Sequence, residues 1–424
     1  MVKRIILVAL KNFLVVVVLF LFFGSVPVKA DSFTELQAQI DAKKSSITQL
    51  EQEAAQYNDE LAKTQQTKKT LSSELNSIKS EVNVINLKIK ATQTEIDQLS
   101  LEVEKLNLES KDTSNKILFS KDVIAQNLRN LYQQDRGDND IATIFLKDVE
   151  LSDVMSGIES MIYFDQSMEA DLQTLKDLKV SLADQKSQSE SVEKEMQVAK
   201  NTLDNRKTIA TSIQSEKTDI LAKTKNQEKN YQTLLQGIDK QRSDIEAEVY
   251  QLEEVLKAQI DPNLLPKAQS GILAWPVIGR VTQGFGATSD AQYFYNKGKY
   301  TNPTHNGIDI QSSIGTPVVA AGDGQIIAIG NQDKYCYRAA YGKFILIRHD
   351  NYLTTFYGHL SLQIVKVGDI VKRGDIIGYS GNTGFSTGPH LHFTVYFSPT
   401  VKITTSVSCG PMPIGAPVNP MDYL

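Results

Sequence analysis

From Leu36 onward, apolar residues return at alternating steps of four and three. Leu36, Ile40, Ile47, Leu50, Ala54, Tyr57 and Leu61 open a register that continues through Leu71, Leu75, Ile78, Val82, Ile85, Ile89, Ile96, Leu99, Val103 and Leu106. Lys43, Thr64, Lys68 and Thr92 interrupt it. A seven-residue repeat sustained this long specifies a supercoiled helix with an apolar seam. A second run, Tyr231, Leu235, Ile238, Ile245, Val249, Leu252 and Leu256, is broken at Arg242, and the stretch from Leu172 to Ile220 is helical in composition but less regular. Between the runs the register dissolves around residues 133–140, where Asp135-Arg136-Gly137-Asp138-Asn139-Asp140 has the composition of a turn. Short amphipathic pieces follow, one holding Ile141, Ile144, Phe145 and Leu146 and one running from Val154 to Met161, with Ser152 as its N-cap. The pattern predicts an antiparallel coiled-coil hairpin over residues 31–260. Its arms, 32–132 and 163–259, are of similar length and carry a small helical lobe near 133–162 at the tip. Heptads of this kind also suit a plain spacer or a dimerisation rod.

The pattern changes at Asp261-Pro262-Asn263-Leu264-Leu265-Pro266, which ends the helix because proline removes an amide donor and restricts its predecessor. A linker over 261–272 leads into a domain over 273–424. There, short apolar runs separated by glycine, such as 316–321, 325–329, 344–348 and 375–379, predict an all-β fold. The chain thus reads as multidomain, helical and then all-β. Proline and glycine divide the same way: eleven of the twelve Pro and twenty of the twenty-four Gly lie beyond residue 260.

The first 30 residues carry Lys3, Arg4 and Lys11 before an unbroken apolar stretch from Phe13 to Phe23, followed by Val28-Lys29-Ala30. This is the pattern of a secretory signal cut after Ala30, with an uncleaved anchor as the alternative. Either places the rest of the protein outside the cytoplasm. The formal net charge of -5 averages +4 over residues 1–30, -12 over 31–260 and +3 over 261–424. A mature chain this acidic argues against nucleic acid as the main partner. An extracytoplasmic setting also permits a disulfide between Cys336 and Cys409, the two cysteines of the chain. Closing that loop would contribute about 4 kcal/mol in the chain-entropy picture. Two unpaired thiols remain the alternative at this level.

All five histidines fall in the second domain. His305 and Asp309 form an HxxxD pair, and His390 and His392 form an HxH pair. In a strand His390, His392 and Thr394 share one face, while Leu391, Phe393 and Val395 share the other. Imidazole and carboxylate suit zinc, and three protein ligands leave the open position that catalysis needs. His349, before Asp350-Asn351 at an expected hairpin turn, reads as structural. No Glu follows Glu254. The glutamate base of HExxH peptidases is therefore missing from this domain, and a proton shuttle is expected to be His or Asp.

These residues resemble the lysostaphin and LytM type of zinc metallopeptidase, metallopeptidase family 23, which cuts peptide bonds in peptidoglycan. The resemblance runs from about Trp275 to Pro399. It rests on Gln283-Gly284-Phe285-Gly286, His305-Asn306-Gly307-Ile308-Asp309, Tyr357-Gly358-His359-Leu360, Val371-Lys372-Arg373-Gly374-Asp375 and Gly388-Pro389-His390-Leu391-His392-Phe393. It implies His305, Asp309 and His392 as zinc ligands and His359 and His390 as the catalytic pair. The helical part is similar in layout to the EnvC and PcsB type, whose coiled coils answer to the FtsE and FtsX membrane complex. That likeness implies a role in cell-wall remodelling or division and a partner of the FtsE/FtsX kind. In the EnvC type the metal site is degenerate and the protein activates a separate murein hydrolase, so a non-catalytic activator is the alternative. A lipoyl-like carrier, suggested by the turns Gly368-Asp369 and Gly374-Asp375, has no use for the histidines. The Tyr-rich segment 287–303 and the segment around Cys336 depart from a minimal domain of the family.

Overall fold

The structure, a computed structural model, describes residues 30–64, 70–135, 151–288 and 304–424. The signal segment before Ala30, the turn and Ile144-Phe145 piece at the expected tip, and most of the Tyr-rich segment lie outside the described residues. Four long helices precede an antiparallel sheet domain. They are α1 (Ala30–Thr64), α2 (Leu71–Asp135), α3 (Leu151–Thr224) and α4 (Glu228–Lys257). The piece expected at Val154–Met161 is the beginning of α3 and not a separate helix. No described helix is long and apolar enough to cross a membrane.

By contacts the chain divides into two compact units, Met1–Ser46 with Thr94–Ala199, and Ile47–Gln93 with Lys200–Leu424. In the first, the heptad positions Leu36, Ile40, Ile96 and Leu99 are buried. Lys43 pairs with Asp97 at 3.0 Å, and Lys105 donates to Gln37 at 2.9 Å. The interruption at Lys43 is therefore a cross-helix ion pair at the margin of the seam.

In the second unit α1 ends at Thr64 and α2 begins at Leu71, and a short break at 224–228 separates α3 from α4. Thr70 and Ser73 cap the start of α2 reciprocally: Ser73 N donates to Thr70 Oγ1 at 3.0 Å, and Thr70 N donates to Ser73 Oγ at 2.9 Å. The Leu71 amide donates to the Glu228 carboxylate at 2.8 Å, so the opening turn of α4 caps α2, and the start of α2 lies beside the break between α3 and α4. At the other break Lys225 and Asn226 take left-handed φ of 49° and 53°. Asn230 Nδ2 satisfies the Thr224 carbonyl at 2.9 Å. Left-handed residues are a common way to end a helix, and asparagine tolerates that conformation better than most residues.

The sheet is built from β1 (Arg280–Gln283), β2 (Ile308–Gln311), β3 (Pro317–Val319), β4 (Gly324–Asn331), β5 (Lys343–Arg348), β6 (Leu353–Gln363), β7 (Ile370–Val371), β8 (Ile376–Ser380), β9 (His390–Ser406) and β10 (Gly410–Val418). Its order is β1-β2-β9-β6-β5-β4-β7, with β10 on β9 and β8 joining β3 to β6. The glycine-separated apolar runs seen in the sequence correspond to β3, β4, β5 and β8. Ile308, Ile310, Ile345, Ile347, Leu391, Phe393 and Val395 form the centre of the core. Cys336 and Cys409 are disulfide-bonded with Cα atoms 4.9 Å apart.

The apolar stripe of α4 faces the sheet domain over most of its length. Ile238, Ile245, Val249 and Leu256 pack with Cys336, Ala339, Phe397, Cys409, Met412, Ile414 and Ala416, while Tyr231 joins Ile78, Ile213 and Ile220 of α2 and α3. Periodicity reports that a helix has an apolar face but not what the face meets, which is why this run read as a helix–helix seam. Polar contacts reinforce the packing. Arg338 pairs with Glu74 and, at 2.8 Å, with Glu216; Asn382 donates to Glu81 at 2.7 Å; Lys88 donates to the Ile314 carbonyl at 2.8 Å. Arg338→Ala would leave two carboxylates without their counter-ion, a loss of about 3 kcal/mol for a largely buried pair. Urea unfolding should show that loss together with faster amide exchange in α2 and α3, which carry Glu74 and Glu216. An unchanged midpoint would make the cluster incidental.

Candidate metal centre and the helix over it

β2 and β9 pair so that Asp309 stands opposite His392, and β6 places Gly358, and hence His359, on the other side of His392. His305 is held just before β2 by a two-way backbone bridge to Gly286. The HxxxD and HxH pairs, 83 residues apart between Asp309 and His392, thereby meet. His392 Nδ1 lies 3.0 Å from both His305 Nε2 and Asp309 Oδ1, and His305 Nε2 lies 3.4 Å from Asp309 Oδ1. Tetrahedral zinc with bonds of about 2.0–2.2 Å separates its ligands by about 3.3 Å, so the three atoms fit one ion.

Hydrogen bonds at the far nitrogens orient the rings. His305 Nδ1 meets the Gly284 carbonyl at 2.9 Å, His359 Nδ1 meets Thr383 O at 2.7 Å, and His390 Nδ1 meets Gly388 O at 2.7 Å. A carbonyl can only accept, so each of these rings carries a proton on Nδ1, and in its neutral form leaves Nε2 bare. The ring of His359 is 4.6 Å from that of His390 and 5.9 Å from that of His392, centroid to centroid. His359 sits at φ 58°, a left-handed conformation costly for a side chain of this size. Burial, aided by the neighbouring His390 and His392, holds the His359 imidazole well below its usual pKa and therefore neutral. Burial also lowers His392, to about 4. It opposes ionisation of Asp309, but His305 and His390 outweigh it and keep the carboxylate well below its usual range.

His349 stands apart, bonded to the Asp323 carbonyl and the Thr355 hydroxyl, each at 2.8 Å. It takes no part in the cluster.

A cavity of about 200 Å³ opens over the cluster, and part of its wall is α4. Glu253 of that helix is buried in it, accepting from Asn306 Nδ2 at 2.9 Å, while Asn306 also donates to Tyr341 at the same distance. Val249 lies one turn and Glu246 two turns nearer the start of α4, and Arg242 lies 4.4 Å above the Phe385 ring. The domain itself has no glutamate, as its sequence shows, yet its cavity is lined by glutamate. A helix from before the linker brings its own glutamate. Glu253 neighbours the heptad position Leu252, and nothing in the heptad pattern marks it.

Residues 303–403 match the model for Peptidase family M23. This chain carries a peptidase M23 domain. Its relatives include the peptidoglycan DD-endopeptidase ShyA of Vibrio cholerae, 47% identical over 89 residues, which are 21% of this chain and 19% of that protein. Lysostaphin of Staphylococcus simulans is 42% identical over 112 residues, 26% of this chain and 21% of that protein. Among solved structures, a zinc-containing peptidase from Vibrio cholerae is 30% identical, with a TM-score of 0.26 over 35% of this chain and 38% of that one. The chain spans about a fifth of the length of the curated relatives it matches. The M23 match begins two residues before His305 and contains all five histidines, but neither α4 nor Glu253 lies within it.

Burial drives the Glu253 carboxyl up to about 8, against the opposing bond from Asn306, whereas a free glutamate titrates at 4.5. Between pH 5 and 7 the folded chain therefore keeps a proton that the unfolded chain has released, and this contribution to stability fades as pH rises. It is complete below 4.5 and gone above 8. Glu253→Gln removes the linkage. The stability difference between wild type and variant should fall with pH by up to about 1.4 kcal/mol per unit over that window. Parallel urea midpoints at pH 5, 6 and 7 would contradict this.

Proposed function

We propose that the protein is a secreted zinc endopeptidase that hydrolyses peptide bonds of peptidoglycan, in cell-wall remodelling or division. In this reading His305, Asp309 and His392 hold the metal, and His359 and His390 do the proton chemistry. The observation that carries it is the convergence of three ligand atoms at 3.0–3.4 Å from two separate motifs. Zinc bound there supplies a Lewis acid and a water with a pKa of about 7.

The chain's own residues do the rest. His359, neutral and with its proton fixed on Nδ1 by Thr383 O, offers Nε2 as a base at neutral pH. His390 has its Nδ1 proton fixed by Gly388 O, and its Nε2 is 3.6 Å from Asp309 Oδ1. When protonated at that atom it can donate toward an oxyanion forming beside the metal. Asp309 stays ionised, as a ligand must. The packing of α4 over the cavity supports a further element: the domain is held covered until a membrane partner, of the FtsE/FtsX kind, pulls on the helical part. The alternative, a non-catalytic activator of another hydrolase, would not need a complete ligand set.

Metal analysis of the full chain should return about one zinc per molecule, lost in His392→Ala. His359→Ala should keep the metal and lose peptidoglycan cleavage by two orders of magnitude or more, the usual range for a positioned base being about 10²–10⁴. Cleavage that survives His359→Ala would remove that residue from the chemistry. A metal-loaded wild type without cleavage under any condition would favour the activator.

A further inference from the structure

In the cavity over the cluster, donors of the sheet domain meet an acceptor that the domain does not own. Asn306 Nδ2 has two hydrogens; one goes to the Tyr341 hydroxyl and the other to Glu253 Oε1 of α4, each at 2.9 Å. The Tyr396 hydroxyl donates to the same Oε1 at the longer distance of 3.5 Å. Two neutral donors thus converge on one oxygen carried by α4.

Each donor is also fixed from within the domain. Asn306 directly follows His305, whose backbone is bridged to Gly286. Tyr341, which orients the Asn306 amide, donates its own amide to the buried Gln332 side chain at 3.0 Å, and its carbonyl accepts the His359 amide at 2.9 Å. The Tyr341 ring lies 5.4 Å from that of His392, centroid to centroid. Tyr396 is fully buried on β9, on the face that carries His392. Lifting α4 therefore leaves one N–H of Asn306 without an acceptor, already aimed and beside the metal centre. A donor left unpaired in a desolvated groove is unfavourable, and an oxygen of whatever enters the groove relieves it.

The present occupant shows which oxygen fits. An ionised carboxylate would give up its hydration here for two uncharged hydrogen bonds. Burial drives the Glu253 carboxyl up to about 8, so near pH 7 it sits there mostly uncharged. A carboxamide presents the same planar oxygen without a charge.

We propose that Asn306, Tyr341 and Tyr396 form a substrate subsite for a pendant carboxamide of the peptide, in preference to a carboxylate, and that Glu253 fills it in the resting chain as an internal surrogate. This rests on the peptidase reading above. It makes Asn306 a specificity-determining residue and gives it a role beyond satisfying α4.

Binding to the zinc-loaded full chain, read by calorimetry, tests the subsite with two synthetic pentapeptides. One is L-Ala-D-isoglutamine-L-Lys-D-Ala-D-Ala; the other carries D-isoglutamate, with a free carboxylate where the first has its carboxamide. Glu253→Ala vacates the subsite and should tighten binding of the amide peptide by about tenfold or more over wild type. Glu253→Gln, which keeps an uncharged oxygen in place, should stay within about threefold of wild type. In the Glu253→Ala chain the amide peptide should bind about tenfold or more tighter than the acid, and adding Asn306→Leu should bring the two within about threefold at unchanged zinc content. Should a variant fail to fold, Glu253→Ser and Asn306→Ala make the same comparisons. Equal affinity for the two peptides in the Glu253→Ala chain overturns the subsite, and so does a preference that survives Asn306→Leu or a chain that binds neither peptide. Peptidoglycan cleavage by the same samples separates the two readings. Cleavage without the preference removes the subsite and leaves the peptidase, whereas the preference without cleavage keeps the subsite as a binding site and overturns the peptidase.

Discussion

Asp309 beside His392 across two antiparallel strands is the contact on which the site depends. Side chains alternate across a strand, so a slip of one residue between β2 and β9 would send one of the two to the apolar face and leave a carboxylate in the core. The register is held by the core side of the same strands, where Ile308 and Ile310 pack with Leu391, Phe393 and Val395. Hydrophobic burial on one face thus fixes polar geometry on the other. His305, bridged to Gly286, and His359, one residue past the Gly358–His392 pair, are placed by the same sheet.

The cost of such a site is a set of buried, hydrogen-bonded rings around one carboxylate, and the pKa directions follow from it. Burial leaves His359 and His392 neutral, the state a base and a ligand require, and their histidine neighbours add to the effect. A helix then closes over this polar cavity, bringing a glutamate whose burial is unfavourable unless it keeps its proton. Apolar packing by Ile245 and Val249 against the sheet domain offsets that cost.

Much of the domain could be read directly. Glycine-punctuated apolar runs became strands, and two-residue spacing put His390, His392 and Thr394 on one face because strand geometry is local. The HxxxD and HxH motifs, whose side chains the structure brings together, were legible for the same reason, each lying within one short stretch. What could not be read was long-range. The stripe from Ile238 to Leu256 has the period of a helix seam, but it meets a sheet. Arg242 looked like a flaw in that stripe and instead covers an aromatic ring. Thr64 and Lys68 interrupt the register just before α2, but no proline or glycine marks the break between α3 and α4. Thr70 as a cap and Asn226 as a left-handed end were the available signals. Glu253 had none.

The central claim is that α4 covers a working metal site in the resting chain. Peptidoglycan release measured on zinc-loaded full-length protein, with and without Ile245→Asp and Val249→Asp together, tests it most directly. The substitutions put charge into the packed face of α4 and touch none of the five residues assigned to the metal and the chemistry. If the helix is a cover, the doubly substituted chain releases soluble fragments at least tenfold faster than wild type at equal zinc content. Equal rates in the two proteins would contradict it.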